Sequence, residues 1–482
     1  MIPITLGDIA ALVSGRMADG AEPDRLVTGP VEVDSRVPAP DGLFVAVRGE
    51  RVDGHDFAAG AIAGGAAAVL ASRPVGVPAI VAGDSVAALG RLAAGVLARL
   101  PAATVLAVTG SSGKTSTKDL LAAVLPELGP TIAPPGSYNT EIGLPLTVLR
   151  AGPQTRYLAL EMGARGAGHI AYLCEIAPPR VGIVLNVGLA HAEMFGSREG
   201  IAKAKSELIQ ALPASGVAVL NADDDRVLAM RELTQARVVT YGKDAAADVR
   251  AESVELDRLG RARFVLRTPA GSAPVALRLA GAHHVSNALA TAAATGGLGL
   301  AVDRIAVALS VAEPASRWRM EVSERPDRVI VINDAYNANP DSMRAALRAL
   351  VAIGRGRRTW AVLGEMRELG AAADDEHQAI GRLVARLNIS VLVAVGEGAQ
   401  PIRLGAGRDR SAATESVYVA DAPGALDLIR ARVRPGDVVL VKASRAVGLE
   451  QVAAGLLEPA TAAGADPTDR PDAAGTGKAE VR

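Results

Sequence analysis

Short apolar runs alternate with amphipathic and Ala-rich stretches along most of the chain. "TVLAVTG" at 104–110, "RYLALEMG" at 156–163, "VGIVLNVG" at 181–188 and "GVAVLNADD" at 216–224 are each apolar, and each ends in small or polar residues. Such runs predict parallel strands with chemistry gathered at their C-terminal ends. "TSTKDLLAAVL" at 115–125 predicts an amphipathic helix with Pro126 after it as a stop. The charged stretch 248–268 alternates as antiparallel strands do, and "SNALATAAATGGLGL" at 286–300 reads as a helix. Before residue 100, "GLFVAVRG" predicts a strand and "HDFAAGAIAGGAAAVLAS" a helix from His55 to Ser72, with "RLPAA" at 99–103 as a linker. Near Ala315 a third set of strand-then-loop units begins, with "RVIVINDAYNANP", "RTWAVLGEM", "ISVLVAVGEG" and "DVVLVKASR". The pattern is α/β in three domains: 1–100, a central parallel-sheet domain 101–314, and a Rossmann-like domain 315–458. Residues 459–482 are rich in Pro, Gly and Asp without an apolar period and are predicted to be disordered.

Composition narrows this picture. Hydrophobic residues make up 49% and aromatics only 2%, so the cores must be built from Ala, Val, Leu and Ile. A net charge of −1 gives no electrostatic footprint for nucleic acid or a membrane surface. One cysteine, Cys174, cannot form an internal disulfide, and the N-terminus has no basic region ahead of a long apolar core. The expectation is a soluble cytoplasmic protein, taken as a monomer. Only seven of the 51 Lys plus Arg residues are lysine, and four of those, Lys114, Lys203, Lys205 and Lys442, lie in motif-like stretches. Lysine can lose its proton and react where arginine cannot.

The strand at 104–110 leads into "GSSGKTS", Gly110 to Ser116. The amides of Gly110, Ser111, Ser112 and Gly113, with the following helix N-terminus, can cradle phosphate oxygens. Lys114 can reach the terminal phosphates and the Thr115 hydroxyl can ligate Mg²⁺. The loop is shorter than the usual G-x-x-x-x-G-K-[ST], with Val108 where the first glycine would stand, and a plain Gly/Ser turn is the competing reading. Glu161 and His191 follow other strands and fall on the same sheet edge. Lys203 and Lys205 sit two apart on a predicted helix, so at most one can face a site. His283 and His284 precede a predicted helix and read as caps, with Asn287 in its first turn. His377, among acids, reads as solvated.

The residues also occur in one telling order. "GSSGKT", Glu161-Met-Gly, His191, "AKAK", "HHVSNALA", "WRMEV" and "DAYNANP" together resemble the Mur ligase family of ATP-dependent amide-bond ligases, over residues 25 to 455. The short loop is that family's own form. The resemblance implies a uridine-nucleotide domain, an ATPase domain and a Rossmann-like domain. It also implies ATP, two Mg²⁺ ions and a carbamylated lysine. Lys114 and the loop from Gly110 to Ser116 would hold ATP phosphates. Thr115 and Glu161 would hold one Mg²⁺. His191 and a carbamylated Lys205 would serve the other. Asn287 would contact adenine, Asp334 the ribose, and Arg319 the phosphates. Asn139 and His191 would lie near the reacting carboxylate. Ser35, Arg36, Asp53, His55, Asn337 and Asn339 are the substrate-binding candidates. "DAYNANPDSM" resembles the dipeptide-adding members, whose substrates are UDP-N-acetylmuramoyl-tripeptide and D-Ala-D-Ala. The sister ligases that add the third amino acid carry an Asp-Asn-Pro-Arg motif, which is absent here. Folylpolyglutamate synthase and a non-catalytic nucleotide-binding protein are the remaining alternatives. Two positions depart from the pattern: Trp318 stands for the glycine before Arg319, and Ala443 for the glycine of "KGSR".

Overall fold

The computed structural model describes residues 1–37, 39–49, 51–188, 192–408 and 413–458. His191 and the stretch 459–482 lie outside the described residues. Among the described residues the chain builds sheets of five, nine and six strands plus one two-stranded ladder.

The nine-stranded sheet carries the apolar runs read from the sequence. Thr104–Thr109 lies between Tyr157–Glu161 and Val181–Val184, parallel to both. Val217–Asn221 and Arg237–Gly242 continue the parallel order. The register pairs Glu161 with Val108 and Val184 with Thr109. All three central strands therefore end at one level, and the residues after them share one edge. Val249–Leu256 joins in parallel, then Arg261–Thr268 and Gly271–Ala280 complete the sheet antiparallel, as the alternation at 248–268 predicts. Helices Lys114–Val124 and His283–Gly297 cover one face, where Leu120, Leu121 and Val124 share a core with Ala288, Leu289 and Ala292. Alanine at these positions lets helix and sheet approach closely, which suits a chain nearly without aromatics.

Before residue 100, Arg16–Ala18, Ala79–Val81, Ala68–Ala71, Leu43–Val45 and Val31–Glu32 form a sheet in that order. The helix predicted over 55–72 is not one element. A 3₁₀ turn at Gly54–Phe57 leads into helix Ala58–Ala63, and Ala68–Ala71 is a buried strand. Gly65 takes φ +100, a conformation that ends the helix, and four small apolar residues then fit between two parallel neighbours. Helix Ser85–Ala98 ties this unit to the central one: Leu92 and Val96 share one continuous core with Leu144, Leu173 and Ile176.

The C-terminal sheet runs Ile330–Asn333, Val438–Lys442, Thr359–Leu363, Val391–Val395 and Glu415–Val419, all parallel, with Glu321–Glu324 antiparallel at one edge. It has a separate core on each face. The turn between Val249–Leu256 and Arg261–Thr268 docks on this unit. Leu259 packs on one of its cores, and Arg258 pairs with Glu324 at 2.8 Å. His377 is buried, contrary to the solvated reading. Its Nε2 accepts from the Met366 amide at 2.8 Å, and its Nδ1 lies 2.6 Å from the Ala373 carbonyl oxygen. Among the described residues no helix is long and apolar enough to cross a membrane.

Candidate active site

Strand Thr104–Thr109 delivers the chain to the loop, and helix Lys114–Val124 leaves it. Gly113 takes φ +83, and a Cβ there would meet Asn287 Oδ1 at 2.7 Å. Glycine is thus needed for both conformation and space, and Asn287 is brought directly onto the loop. Lys114 Nζ folds back to donate to the Gly110 carbonyl oxygen at 2.8 Å. Burial pushes its pKa down, Glu161 opposes that, and Arg319 adds to it.

The loop is held by a residue that the sequence reading passed over. Asn186 Oδ1 accepts from the amides of Ser111 (3.0 Å) and Ser112 (2.9 Å), and its Nδ2 donates to the Ser112 carbonyl oxygen at 3.2 Å. The expectation that the Ser111 and Ser112 amides cradle phosphate therefore meets a competitor. The amides of the helix's first turn are the ones left to an anion. Asn186 follows strand Val181–Val184 at the level of the loop. Its position at the end of a buried strand was the only signal in the sequence.

Glu161, 1% exposed, is the hub of the site. Its Oε2 accepts from Thr115 Oγ1 at 2.8 Å, and its Oε1 accepts from Asn139 Nδ2 at 2.7 Å and Ser137 Oγ at 3.0 Å. Ser137 is a second residue the sequence reading missed, although it lies only two positions before Asn139. Among the described residues no group of three His, Cys, Asp or Glu gathers as a metal cage.

Helix Arg198–Gln210 separates its two lysines as the spacing requires. Lys203 is exposed and Lys205 is buried at 5% exposure. Burial drives the Lys205 amine well below the ordinary lysine range, and the Lys114 charge pushes the same way. The first helical residues of His283–Gly297 are His283 and His284 themselves, so neither caps the helix from outside. His284 is buried, and its Nδ1 lies 3.3 Å from Asn287 Nδ2.

The C-terminal unit closes over this edge. The Arg319 guanidinium lies 4.1 Å over the Tyr336 ring, and its buried Nε makes no hydrogen bond among the described residues. The Tyr336 amide donates to the Trp318 carbonyl oxygen at 3.1 Å. Asp334 is tied to the buried Lys442, with Nζ 2.6 Å from its Oδ2. The same Nζ donates to the Asn337 carbonyl oxygen at 2.9 Å. Asn339 caps helix Pro340–Ile353 and reaches the Ser111 carbonyl oxygen at 3.3 Å.

The candidates in the first unit form a separate group. Arg36 grips Asp34 through Nε (2.9 Å) and Nη2 (2.7 Å), holding that carboxyl at about 2, and its side chain is 88% exposed. Ser35 lies in the same turn. Asp53 Oδ1 lies 2.6 Å from His55 Nδ1, and His55 Nε2 accepts from the Ser72 amide at 3.0 Å. Both ring nitrogens of this buried histidine are thus engaged within the domain.

Comparison with known proteins agrees with this arrangement. Residues 30–100 match the Mur ligase family, catalytic domain; 108–295 match the Mur ligase middle domain; and 318–445 match the Mur ligase, glutamate ligase domain. The chain belongs to the Mur ligase family. The UDP-N-acetylmuramoyl-tripeptide–D-alanyl-D-alanine ligase of Mycobacterium tuberculosis is 52% identical, covering 95% of this chain and 98% of that one. A crystal structure of MurF from Acinetobacter baumannii superposes with a TM-score of 0.86 at 32% identity, covering 95% and 99% of the two chains. MurF from Thermotoga maritima in complex with ADP gives 0.76 at 31% identity, covering 88% and 96%. In this Mur ligase the departure at Trp318 keeps the backbone that glycine favours, with φ +59. Arg445 lies 4.3 Å over its ring, and the Trp318 amide donates to Glu321 Oε2 at 3.0 Å. Ala443 is fully buried at the end of its strand.

Proposed function

We propose that this Mur ligase joins D-alanyl-D-alanine to UDP-N-acetylmuramoyl-tripeptide at the expense of ATP, giving the pentapeptide precursor of peptidoglycan. The observation that carries the substrate assignment is the 52% identity to a ligase of that name across nearly the whole of both chains. The ADP complex of the Thermotoga relative supports the nucleotide at the phosphate loop.

A free carboxylate does not condense with an amine in water, because O⁻ is a poor leaving group. The peptide's terminal carboxylate attacks the γ-phosphorus of ATP, releasing ADP and forming an acyl phosphate. The amine of D-Ala-D-Ala then adds to the acyl carbon, and the tetrahedral adduct expels phosphate while the nitrogen gives up its proton. The first step brings two anions together. Lys114, at the loop, and Arg319, over Tyr336, supply positive charge from two different units. Asn139, anchored on Glu161, would lie near the reacting carboxylate.

Glu161 and the Thr115 hydroxyl fit one Mg²⁺, since this ion takes one or two carboxylates plus nucleotide phosphates and needs no three-acid cage. Bound there, Mg²⁺ would neutralise phosphate charge. The buried, easily deprotonated Lys205 amine fits carbamylation, in which a neutral amine and CO₂ form a C–N bond, release a proton and leave an anionic oxygen ligand. Because ATP residues stand on both the central and C-terminal units, turnover needs the second closed on the first.

Phosphate release is measured with ATP, Mg²⁺ and the uridine-linked tripeptide, comparing D-Ala-D-Ala with single amino acids as acceptors. Release that depends on the dipeptide is expected. Release only with a single amino acid would instead assign the chain to the sister ligase.

A further inference from the structure

The C-terminal unit meets the phosphate loop along a short seam. Asn339 Nδ2 donates to the Ser111 carbonyl oxygen at 3.3 Å. Its Oδ1 accepts from the Ser342 amide at 2.9 Å, and Ser342 Oγ accepts from the Asn339 amide at 3.0 Å. This reciprocal box turns the amide oxygen toward the helix, so the NH₂ group must face the loop. Beside it, Gly188 is packed against the same helix. A Cβ on Gly188 would lie 1.9 Å from Asp341 Oδ2, 3.0 Å from its Cγ and 3.3 Å from Ser111 Cβ. The φ of Gly188 is not in the left-handed region. The approach of Asp341 on the C-terminal unit leaves no room for a side chain there.

We propose that Asn339 is a positioning residue that locks the C-terminal unit onto the phosphate loop in the arrangement that turns over, and that Gly188 supplies the clearance this lock needs. The inference rests on the two-unit nucleotide site described above. Ser111 is the acceptor of the lock and is itself strapped to Asn186, so a loop moved out of place withdraws the acceptor. Arg319 rides on the unit that the lock holds, and its charge acts on Lys114 across the seam.

Capping and locking are separable. Asn339→Asp keeps a good N-cap but sets a carboxylate oxygen against the Ser111 carbonyl where a donor stood. The variant is expected to retain the wild-type melting temperature and its affinity for a non-hydrolysable ATP analogue without the tripeptide. Its kcat falls about tenfold or more. Its compaction with analogue and tripeptide, read by small-angle scattering, is lost. Gly188→Val gives the same loss by obstruction, and Asp341→Ala in that background restores part of it. Wild-type kcat and compaction in Asn339→Asp would overturn the lock, as would a kcat loss matched by a fall in melting temperature. Failure of the wild-type chain to release phosphate with D-Ala-D-Ala would instead defeat the ligase reading itself.

Discussion

Lys205 illustrates how one residue can be costly to the fold and necessary to the chemistry. Its amine is buried, and its folded pKa lies well below the ordinary lysine value of about 10.4. Between those two values the unfolded chain binds a proton that the folded chain does not, so this group makes stability rise with pH across that window. Lys205→Met should therefore raise the melting temperature at about pH 7 in CO₂-free buffer, with the gap to wild type closing toward about pH 10. The same change abolishes ligation, as does Lys205→Ala, and Lys205→Arg does not restore it because a guanidinium cannot take up CO₂. Lys203→Ala, on the exposed side of the helix, leaves the rate unchanged. Full activity in Lys205→Arg would refute the carbamate role. Asn186 gives a second test at this scale. Removing its side chain frees the Ser112 amide, while the Ser111 amide keeps its bond to the Asn186 carbonyl oxygen at 3.1 Å. Asn186→Ala is expected to raise KM for ATP by about tenfold, the size of a lost hydrogen-bond set around one loop, as read from ATP titration of phosphate release.

Lys114, Thr115 and Glu161 were legible in the sequence because each sits where a buried strand ends or a helix begins. Asn186 and Ser137 were not, since their roles come from neighbours supplied by other strands. His377 was misread because the acids before it imply solvent. The helix face that carries it turns inward, and its ring bridges Met366 to Ala373.

Among the elements, helix Ser85–Ala98 joins the first unit to the central one through a shared core. Asp84 caps it, accepting from the amides of Val86 and Ala87 at 2.8 and 3.0 Å. Asp84→Ala should cost about 1 kcal/mol of stability, measured by denaturant unfolding, while kcat at low temperature stays at the wild-type value. The strand Ala68–Ala71 shows where element prediction failed. A run of Ala and Gly has no period that separates helix from strand, and parallel neighbours on both sides decided it. The parallel strands of the central and C-terminal sheets were readable because burial on both faces makes each a continuous apolar run.

Across the whole molecule, the contacts between the C-terminal unit and the central one include the seam at Ser111 and Gly188, the hairpin turn carrying Arg258 and Leu259, and the close approach of Gly370 to Glu193. Because the unit has its own cores, loosening the hairpin contact should free it without unfolding it. Leu259→Asp is expected to expand the unliganded molecule in scattering and to resolve a second calorimetric transition. It should also lower kcat while leaving the affinity for an ATP analogue near wild type. A single unchanged transition with unchanged dimensions would show that the hairpin carries no part of the docking.

What the sequence determined by itself was local or periodic. It set the buried parallel strands, the short phosphate loop at the end of one of them, and the opposed faces of Lys203 and Lys205. Each follows from backbone geometry over a few residues. Only the tertiary structure decided that Glu161 gathers Thr115, Ser137 and Asn139, that Asn186 occupies two loop amides, and that Asn339 crosses from one unit to Ser111 of another. Those contacts join residues from about 20 to more than 200 positions apart, with the longest spanning 228. Strand register and domain docking bring such groups within 3 Å or so, and neither is encoded in the spacing along any single stretch of the chain.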